Sequence, residues 1–279
     1  MTPFLRGLLL CLLCLAGAAQ AAEDLLDPEV AFRFSARLKD PRTVEIRYDI
    51  AKGYYMYRDN FRFAVEGAQA GKAVIPAGMK KFDVNFQKTM ETHRGAVIIL
   101  LPVSGGAGPV TLKSTSQGCA DAGVCYPPIT QNATLTLVSA DAGVSAVVAA
   151  STVAPAKPAH ATGFARVASS AELDAALKAG QRVAMLDFYA DWCGPCKQME
   201  RLTFSDPRVK QRLAALAPLQ ADVTRNNAED QALLKRFKLV GPPGILFFDK
   251  SGREIPGLRV IGYQPPEKFL VTLDKAAQL

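Results

Sequence analysis

A pair of cysteines separated by two residues occurs where a predicted buried strand passes into a predicted helix. Cys193 and Cys196 flank Gly194 and Pro195, directly after the apolar run 183–190. A helix N-terminus has unpaired N–H groups and partial positive charge, which stabilise a thiolate, the reactive form of cysteine. This placement predicts thiol–disulfide exchange, with Cys193 as the attacking sulfur. Cys196, nearly one helical turn further on, would resolve the mixed disulfide.

Two cysteines at this spacing also occur as one half of a zinc site. A second pair with matching spacing is missing, because Cys119 and Cys125 are separated by five residues. The two histidines, His93 and His160, stand in unrelated contexts. The strand before the pair and the helix after it favour redox chemistry. We therefore expect no metal and no cofactor other than the cysteine pairs themselves.

The first residues of the chain are typical of a secretory signal peptide. Arg6 precedes the apolar stretch 7–17, and Ala19-Gln20-Ala21 offers a cleavage site between small residues. A membrane anchor is the alternative, but the apolar run is shorter than the ~20 residues that span a bilayer. We expect cleavage after Ala21 and an exported mature protein.

Removal of the signal peptide leaves four cysteines, an even number that suits two disulfides in an oxidising compartment. The formal net charge falls from +7 to +6, because Arg6 is the only charged residue of the removed segment. The positive charges form no basic run with interleaved aromatic residues, which argues against nucleic-acid binding. No later stretch is long and apolar enough to cross a membrane.

The length of 279 residues suits two domains, each large enough for its own core. Residues 140–163 are rich in Pro and Ala and show neither strand alternation nor a helical face, which is typical of a linker. We therefore predict a signal peptide at 1–21, a first domain at 22–139 and a second domain at 164–279.

Short alternating segments separated by turn residues recur in the first domain. They are 30–38, 44–50, 61–65, 96–103, 110–115 and 134–138. Several short strands with turn signals between them predict an antiparallel, immunoglobulin-like β-sandwich.

Helical and strand patterns alternate in the second domain. The predicted helices are 171–179, 193–202, 207–216, 228–237 and 267–277, and the predicted strands are 183–189, 219–223 and 245–249. This alternation predicts a central sheet with helices on both sides. With the cysteine pair at the end of the first long strand, the pattern indicates a thioredoxin fold.

Several strings of residues carry a family resemblance. In the second domain they are Leu186-Asp187-Phe188-Tyr189-Ala190-Asp191-Trp192-Cys193, Thr203-Phe204-Ser205-Asp206-Pro207 and Ile245-Leu246-Phe247-Phe248-Asp249. In the first domain they are Gly53-Tyr54-Tyr55-Met56-Tyr57-Arg58 and Gln117-Gly118-Cys119-Ala120-Asp121-Ala122-Gly123-Val124-Cys125-Tyr126-Pro127-Pro128. These strings resemble the N-terminal and C-terminal periplasmic domains of the thiol:disulfide interchange protein DsbD family.

One domain of that family has no counterpart in this sequence. Its multi-helix membrane domain, which carries electrons from the cytoplasm, normally lies between these two domains, and residues 140–162 occupy its place. The resemblance therefore implies a periplasmic protein that receives electrons from a separate membrane donor.

On the residues alone, Cys119 and Cys125 are explained by a structural disulfide that closes a short loop in an exported sandwich. The resemblance instead implies a redox pair that accepts electrons from Cys193 and Cys196. It would pass them to disulfide-bearing periplasmic proteins, such as an isomerase or a thioredoxin of cytochrome c maturation. We favour Cys125 as the attacked sulfur.

Two acidic residues are candidates for tuning the dithiol. Asp187 lies on the strand behind the cysteines, where a buried carboxylate would raise a thiol pKa or carry a proton during resolution. Glu200 falls on the same predicted helical face as Cys193 and Cys196, where its charge would oppose thiolate formation. A polar strand end and an exposed helical glutamate are the alternatives. The resemblance favours the functional roles, because both acids match family positions.

Five further residues are candidates for partner contact. Pro243 matches the position at which thioredoxin folds have a cis proline facing the dithiol, although a plain turn is the alternative. Trp192 directly precedes the dithiol in a matched string. Tyr55 and Tyr57 match an aromatic string near the family's active cysteines, although core packing also explains their alternation. Phe86 falls where the family has an aromatic-tipped loop that shields the cysteines.

These observations favour a periplasmic protein-disulfide reductase that relays electrons from Cys193 and Cys196 to Cys119 and Cys125. One alternative is an oxidase or isomerase that uses the second domain's dithiol alone, although Gly194-Pro195 between the cysteines is the reducing, thioredoxin-like choice. Another alternative is a binding module whose sandwich docks partners while its disulfide is structural.

Overall fold

The computed structural model describes residues 25–83, 88–137 and 163–278. Three sequence predictions lie outside these residues: the signal peptide at 1–21, the shielding residue Phe86, and the linker except for Gly163. Among the residues within the described ranges, no helix is long and apolar enough to cross a membrane.

Strands dominate the first part of the chain, as the alternating segments predict. The strands are β1 Phe32–Asp40, β2 Thr43–Ile50, β3 Tyr54–Tyr57, β4 Arg62–Glu66, β5 Gln69–Ala70, β6 Met79–Asp83, β7 Lys88–His93, β8 Ala96–Ser104, β9 Gly108–Ser116, β10 Gly118–Ala120, β11 Val124–Cys125 and β12 Ile129–Leu137. A short helix, α1 Pro28–Ala31, precedes β1, and a 3-10 turn, Arg58–Asn60, follows β3. The predicted strand 30–38 was therefore wrong at its start, because Pro28 favours the first turn of a helix.

The sandwich is built from antiparallel sheets whose inner faces share one core. The sheet orders are β1-β2-β8-β5, β12-β9-β4 and β11-β10-β3-β7-β6. Alternate residues of β2, among them Val44, Ile46 and Tyr48, point into the core and are fully buried. Tyr48 Oη lies 2.8 Å from Ser114 Oγ, so the one polar atom of this buried ring has a partner. The prediction of an all-β sandwich is confirmed.

The second part of the chain forms a mixed sheet flanked by helices. The strands are β13 Ala165–Arg166, β14 Ala184–Tyr189, β15 Ala217–Asp222, β16 Gly244–Phe248 and β17 Val260–Ile261. The helices are α2 Ser170–Ala179, α3 Gly194–Gln198, α4 Pro207–Leu213, α5 Ala228–Arg236 and α6 Pro266–Ala276. The sheet order is β13-β15-β14-β16-β17, with β14 parallel to β15 and antiparallel to β16. This arrangement confirms the thioredoxin-like α/β fold.

The helix predicted at 193–202 is not a continuous α-helix. After α3 the chain makes a π-helical turn, Met199–Thr203, in which the amide of Phe204 donates to the carbonyl oxygen of Met199. The wider turn changes which side chains share a face with the cysteines. The helix predicted at 207–216 ends at Leu213.

Candidate functional site: two disulfides where the sandwich meets the thioredoxin-like unit

The first disulfide lies at the junction of β14 and α3. All six residues of β14 are buried, and the chain leaves this strand to begin α3 directly after Cys193. Cys193 and Cys196 are bonded, with Sγ atoms 2.00 Å apart, and the amide of Cys196 donates to Cys193 Sγ at 3.1 Å. Cys193 therefore occupies the N-cap position, where helix amides would stabilise its thiolate after reduction.

The second disulfide joins two short strands of the sandwich. Cys119 on β10 pairs directly with Cys125 on β11, their Cα atoms are 4.1 Å apart, and the Sγ atoms are bonded. The turn between them includes Gly123, which has φ +82°, a conformation that side chains disfavour. The amide of Gly123 donates to the carbonyl oxygen of Ala120, which closes the turn.

The two disulfides lie at one junction. The amide of Cys125 donates a 3.0 Å hydrogen bond to the carbonyl oxygen of Pro242, and the Pro242–Pro243 peptide bond is cis. A second bond joins the units where Asn226 Nδ2 donates to the carbonyl oxygen of Pro128 at 3.2 Å. Each cysteine of both pairs is at most 2% exposed. The sandwich and the thioredoxin-like unit thus cover both disulfides together.

Glycines permit this close approach of backbone to backbone. A Cβ atom on Gly241 would collide with the carbonyl group of Cys125, and one on Gly262 would collide with the carbonyl oxygen of Ala122. On the opposing loop, a Cβ on Gly123 would stand 3.2 Å from the amide nitrogen of Tyr263. The contact between the units therefore requires residues without a Cβ atom at its centre.

Aromatic residues from both units surround the disulfides. Tyr55 and Tyr57 on β3 pack edge to face, with ring centroids 5.5 Å apart, and Tyr55 is the register partner of Cys119. Trp192 packs against the same apolar cluster, and its Nε1 donates to the carbonyl oxygen of Thr224 at 3.0 Å. These three candidates lie at the junction.

A buried carboxylate lies behind the first disulfide. Asp187 on β14 is 3% exposed, and Gln220 Nε2 donates to its Oδ2 at 3.0 Å. The pKa of Asp187 is raised to about 7, mainly by burial; the hydrogen bond from Gln220 lowers the pKa and the charge of Glu200 raises it. Asp187 can therefore gain or lose a proton near neutral pH.

Glu200 lies in the π-helical turn that directly follows α3, and it is partly exposed. Its negative charge raises the pKa of the neighbouring Tyr189 as well as that of Asp187, with burial the larger cause for both. The charge of Glu200 thus raises the pKa of two residues on β14.

Sequence reasoning missed several residues of the junction. Asn226 has φ 51°, a left-handed conformation that asparagine tolerates. The sequence Asn226-Asn227 was therefore a local signal for a turn at this position. Gly241 and Gly262 gave a weaker signal, because a glycine in a sequence does not reveal what approaches it. Asp121 lies in one of the strings that carry the family resemblance. Its ion pair with Arg94 joins residues far apart in the chain, so the sequence did not reveal it.

Within the parts of the chain that the structure describes, no group of His, Cys, Asp and Glu side chains is arranged to hold a metal ion. The disulfides are the chemically reactive groups at the junction. Once either pair has been reduced, one of its thiolates can attack the disulfide of the other pair.

Comparison with family models and curated proteins identifies both units. Residues 22–137 match the model of thiol:disulfide interchange protein DsbD, N-terminal, and residues 170–277 match that of the thioredoxin-like domain. The thiol:disulfide interchange protein DsbD of Ralstonia nicotianae is 53% identical over 116 residues, which are 40% of this chain and 19% of the relative. That of Pectobacterium atrosepticum is 50% identical over 115 residues, 41% of this chain and 20% of the relative. The matched segments span about one fifth of the length of these relatives.

Solved structures of separate DsbD domains are also similar. The reduced N-terminal domain of Neisseria meningitidis DsbD is 31% identical and aligns with 42% of this chain and 93% of its own, with a TM-score of 0.37. The oxidised C-terminal domain from the same organism is 35% identical and aligns with 40% of this chain and 99% of its own, with a TM-score of 0.36. The first unit is therefore similar to the N-terminal domain of DsbD, and the second unit is similar to a thioredoxin-like domain.

Proposed function

We propose that this chain is a periplasmic protein-disulfide reductase in which Cys193 and Cys196 reduce the Cys119–Cys125 disulfide, and the sandwich then reduces other proteins. The observation that carries the proposal is the hydrogen bond from the Cys125 amide to the carbonyl oxygen of Pro242. This bond brings the polypeptide beside one disulfide against the loop that faces the other. Backbone pairing of this kind lets a thioredoxin-like domain hold an extended substrate segment.

The transfer proceeds by two exchange steps. The Cys193 thiolate attacks one sulfur of the Cys119–Cys125 bond, so a bond to Cys193 forms, the sandwich bond breaks and the released thiolate takes up a proton. The Cys196 thiolate then attacks Cys193, which closes the Cys193–Cys196 disulfide and frees the second sandwich thiol. The sandwich pair gains two electrons and two protons, and the dithiol loses the same number.

Cys125 is the sulfur that Cys193 attacks in this proposal. Its strand, β11, packs against α3, and its own amide is bound to Pro242. Cys119 lies one strand further away, between Cys125 and Tyr55 in the sheet. The leaving sulfur is then Cys119, and the Tyr55 ring borders the position at which its thiol is released.

Asp187 has a place in the second step. Cys196 must lose a proton before it can attack, and Cys196 Sγ lies 4.0 Å from the carbonyl oxygen of Phe188, the residue after Asp187. A carboxylate whose pKa is about 7 can accept that proton near neutral pH. Glu200 helps to keep the Asp187 proton affinity high, because its charge opposes ionisation of Asp187.

The sandwich delivers electrons only after the two units separate. All four sulfurs are covered in the docked arrangement, so a partner protein reaches Cys119 and Cys125 after the thioredoxin-like unit moves away. A suitable partner presents a backbone carbonyl beside its own reactive cysteines, as Pro242 does. Thioredoxin-like proteins of disulfide isomerisation and of cytochrome c maturation meet this requirement. Tethering by residues 140–163 keeps the units at an effective concentration of up to about millimolar between contacts.

The proposal also includes export, cleavage after Ala21 and a separate membrane protein as the electron donor. The donor must reach Cys193 while the sandwich is away from it. Donor and sandwich therefore use the same face of the thioredoxin-like unit in turn.

Trapping the intermediate tests the relay. In the full chain with Cys196→Ala, the mixed disulfide cannot be resolved, so we expect mass spectrometry to find Cys193 bonded to Cys125. Fragmentation of the cross-linked peptide shows whether Cys193 is bonded to Cys125 or to Cys119. If Cys193 reacts with small disulfides but never with the sandwich, the sandwich disulfide is structural. The protein is then a single-site oxidoreductase with a docking domain.

A further inference from the structure

Arg94 links three parts of the sandwich at the edge of the disulfide junction. It lies in the turn between β7 and β8, and its two terminal nitrogens donate to the two carboxylate oxygens of Asp121 at 2.9 and 2.6 Å. One of these nitrogens also donates to the carbonyl oxygen of Tyr54 at 3.3 Å. The guanidinium carbon stands 5.0 Å from the centroid of the Tyr55 ring.

Asp121 belongs to the loop between Cys119 and Cys125. Its amide donates to the carbonyl oxygen of Gly53 at 2.8 Å, so both its main chain and its side chain are held. The next residues, Ala122 and Gly123, form the tip of the loop that lies against the thioredoxin-like unit.

The position of this tip decides whether the units fit. The carbonyl oxygen of Ala122 lies so close to Gly262 that a Cβ there would collide with it, and a Cβ on Gly123 would stand 3.2 Å from the amide nitrogen of Tyr263. A contact between two backbones has no flexible side chain to absorb an error in position. A small displacement of the loop tip therefore disrupts docking.

The need for an anchor is greatest when the sandwich disulfide is open. Reduction removes the covalent link between β10 and β11, and the loop then depends on its hydrogen bonds and on Arg94. A planar guanidinium bound through two parallel hydrogen bonds fixes the orientation of a carboxylate, which a lysine ammonium does not.

An exposed ion pair is ordinarily worth little to folding stability. The Arg47–Asp49 pair illustrates this, because both residues lie on β2 and their pairing holds no loop. The pair of Arg94 with Asp121 differs, since it joins the β7–β8 turn to the loop between the cysteines. Its guanidinium also contacts Tyr55, which pairs with Cys119 in the sheet.

We propose that Arg94 is a positioning residue of the relay, which holds Asp121 so that the loop between the cysteines keeps the shape that docks against Gly262 and Tyr263. The proposal rests on the proposed function, because it concerns the approach of Cys193 to the sandwich. Arg94 touches no reacting sulfur and acts through Asp121.

The test follows disulfide formation between the units in the chain expressed without residues 1–21 and with Cys119→Ala and Cys196→Ala, which leaves Cys125 and Cys193 as its two cysteines. The reduced chain is mixed with the chromogenic disulfide dithiobis(nitrobenzoate). The first released nitrothiobenzoate reports attack by either thiol on the reagent. The second reports attack by the remaining thiol within the chain, and its rate does not depend on reagent concentration.

We expect Arg94→Gln to slow the second release on the order of tenfold, less than the hundredfold that misplacing a reacting group by 1 Å can cost. Arg94→Lys is expected to be almost as slow, because it keeps the charge but loses the paired hydrogen bonds. Arg47→Gln, the matched control, is expected to leave both releases unchanged. Asp121→Asn is expected to match Arg94→Gln, and the double variant is expected to be no slower than either single one.

The outcomes separate the two proposals. Absence of the intramolecular release in the parent chain contradicts the relay itself. An intramolecular release that Arg94→Gln does not change, relative to Arg47→Gln, overturns the role of Arg94 while the relay stands. Additive effects of Arg94→Gln and Asp121→Asn also overturn it, because the two residues then act separately. If Arg94→Gln does not fold, the nearly isosteric Asp121→Asn decides alone.

Discussion

The amide of Cys125 donates a hydrogen bond of 3.0 Å to the carbonyl oxygen of Pro242, across the junction between the sandwich and the thioredoxin-like unit. The two residues are far apart in the chain, and the bond joins the two units. Cys125 is half of one disulfide, and its strand β11 packs against α3, the helix that begins directly after Cys193 of the other disulfide. Main chain atoms therefore help to hold the two disulfides near each other. They can approach this closely only where side chains leave room, as at Gly241.

The first prediction concerns Gly241, the residue before Pro242. A Cβ atom at this position would collide with the carbonyl group of Cys125, while the φ of Gly241 lies outside the range that favours glycine. Gly241→Ala is therefore expected to fold normally but to dock poorly. We expect the intramolecular exchange between Cys193 and Cys125 to slow by about a hundredfold, the cost of a 1 Å misplacement.

The exchange is measured by nitrothiobenzoate release in the chain that keeps only Cys125 and Cys193. Gly180→Ala is the control, because Gly180 lies at the end of α2 and its Cβ would contact only its own helix. An unchanged rate in Gly241→Ala would show that the units exchange electrons in another arrangement than this one.

The second prediction is a pH dependence of stability. Folding raises the pKa of Asp187 from 3.8 to about 7, so between these values the folded protein keeps a proton that the unfolded chain has lost. The free energy of unfolding of the parent therefore falls, relative to Asp187→Asn, as the pH rises from 3.8 to about 7. The full difference is at most about 4 kcal/mol. Above about pH 7 the relative change levels off.

Urea unfolding measures the effect across this pH range, and it is continued below pH 3.8, where the contribution of Asp174 is lost. Asp174→Asn is a useful comparison, because Arg236 lowers the pKa of Asp174 and its stabilising contribution is present at higher pH and lost as the pH falls. The two variants should change the pH profile in opposite senses. A parent profile parallel to that of Asp187→Asn would mean that Asp187 ionises normally in the folded protein.

The sequence identified the thioredoxin-like half of this site for a clear physical reason. Because β14 is buried along its whole length, its sequence is almost entirely apolar and is easily recognised as a strand. The cysteines follow at the point where the chain leaves this strand and begins α3. The π-helical turn at Met199–Thr203 could not be read in the same way. Its pattern differs from that of an α-helix by one residue, which is within the ordinary uncertainty of helix boundaries.

The sheet that carries Cys119 and Cys125 was harder to predict. Strands β10 and β11 are only three and two residues long, and β6 contains adjacent lysines, so none shows a run of alternating residues. The main-chain part of the docking contact gave no sequence signal, because carbonyl oxygens, amides and glycines make it. Its side-chain part includes Asn226, which donates to Pro128, and the aromatic residues Tyr55, Tyr57 and Trp192, which the sequence did indicate.

The third prediction concerns Glu200. Its charge raises the pKa of Asp187, although burial is the larger cause. Glu200→Gln is therefore expected to lower the pKa of Asp187 while leaving it above the ordinary value for aspartate. Carbon NMR of the Asp187 carboxyl group in the oxidised protein measures this titration. Glu229→Gln on α5 is the control, and equal titration of Asp187 in both variants would rule out the influence of Glu200.

The last prediction separates the two contributions of Asn226. Its Nδ2 donates to the carbonyl oxygen of Pro128, and its φ of 51° is one that alanine adopts poorly but glycine adopts readily. Asn226→Gly removes the hydrogen bond between the units, worth about 1 kcal/mol, and a long 3.5 Å contact from Gln231 Nε2 to Asn226 Oδ1 within the loop. The intramolecular exchange should therefore slow about fivefold with little loss of folding stability. Asn226→Ala should slow the exchange similarly and also lower the melting temperature, because the left-handed conformation is then strained. If both variants lower the melting temperature alike and neither slows the exchange, Asn226 stabilises its own loop and contributes nothing to docking.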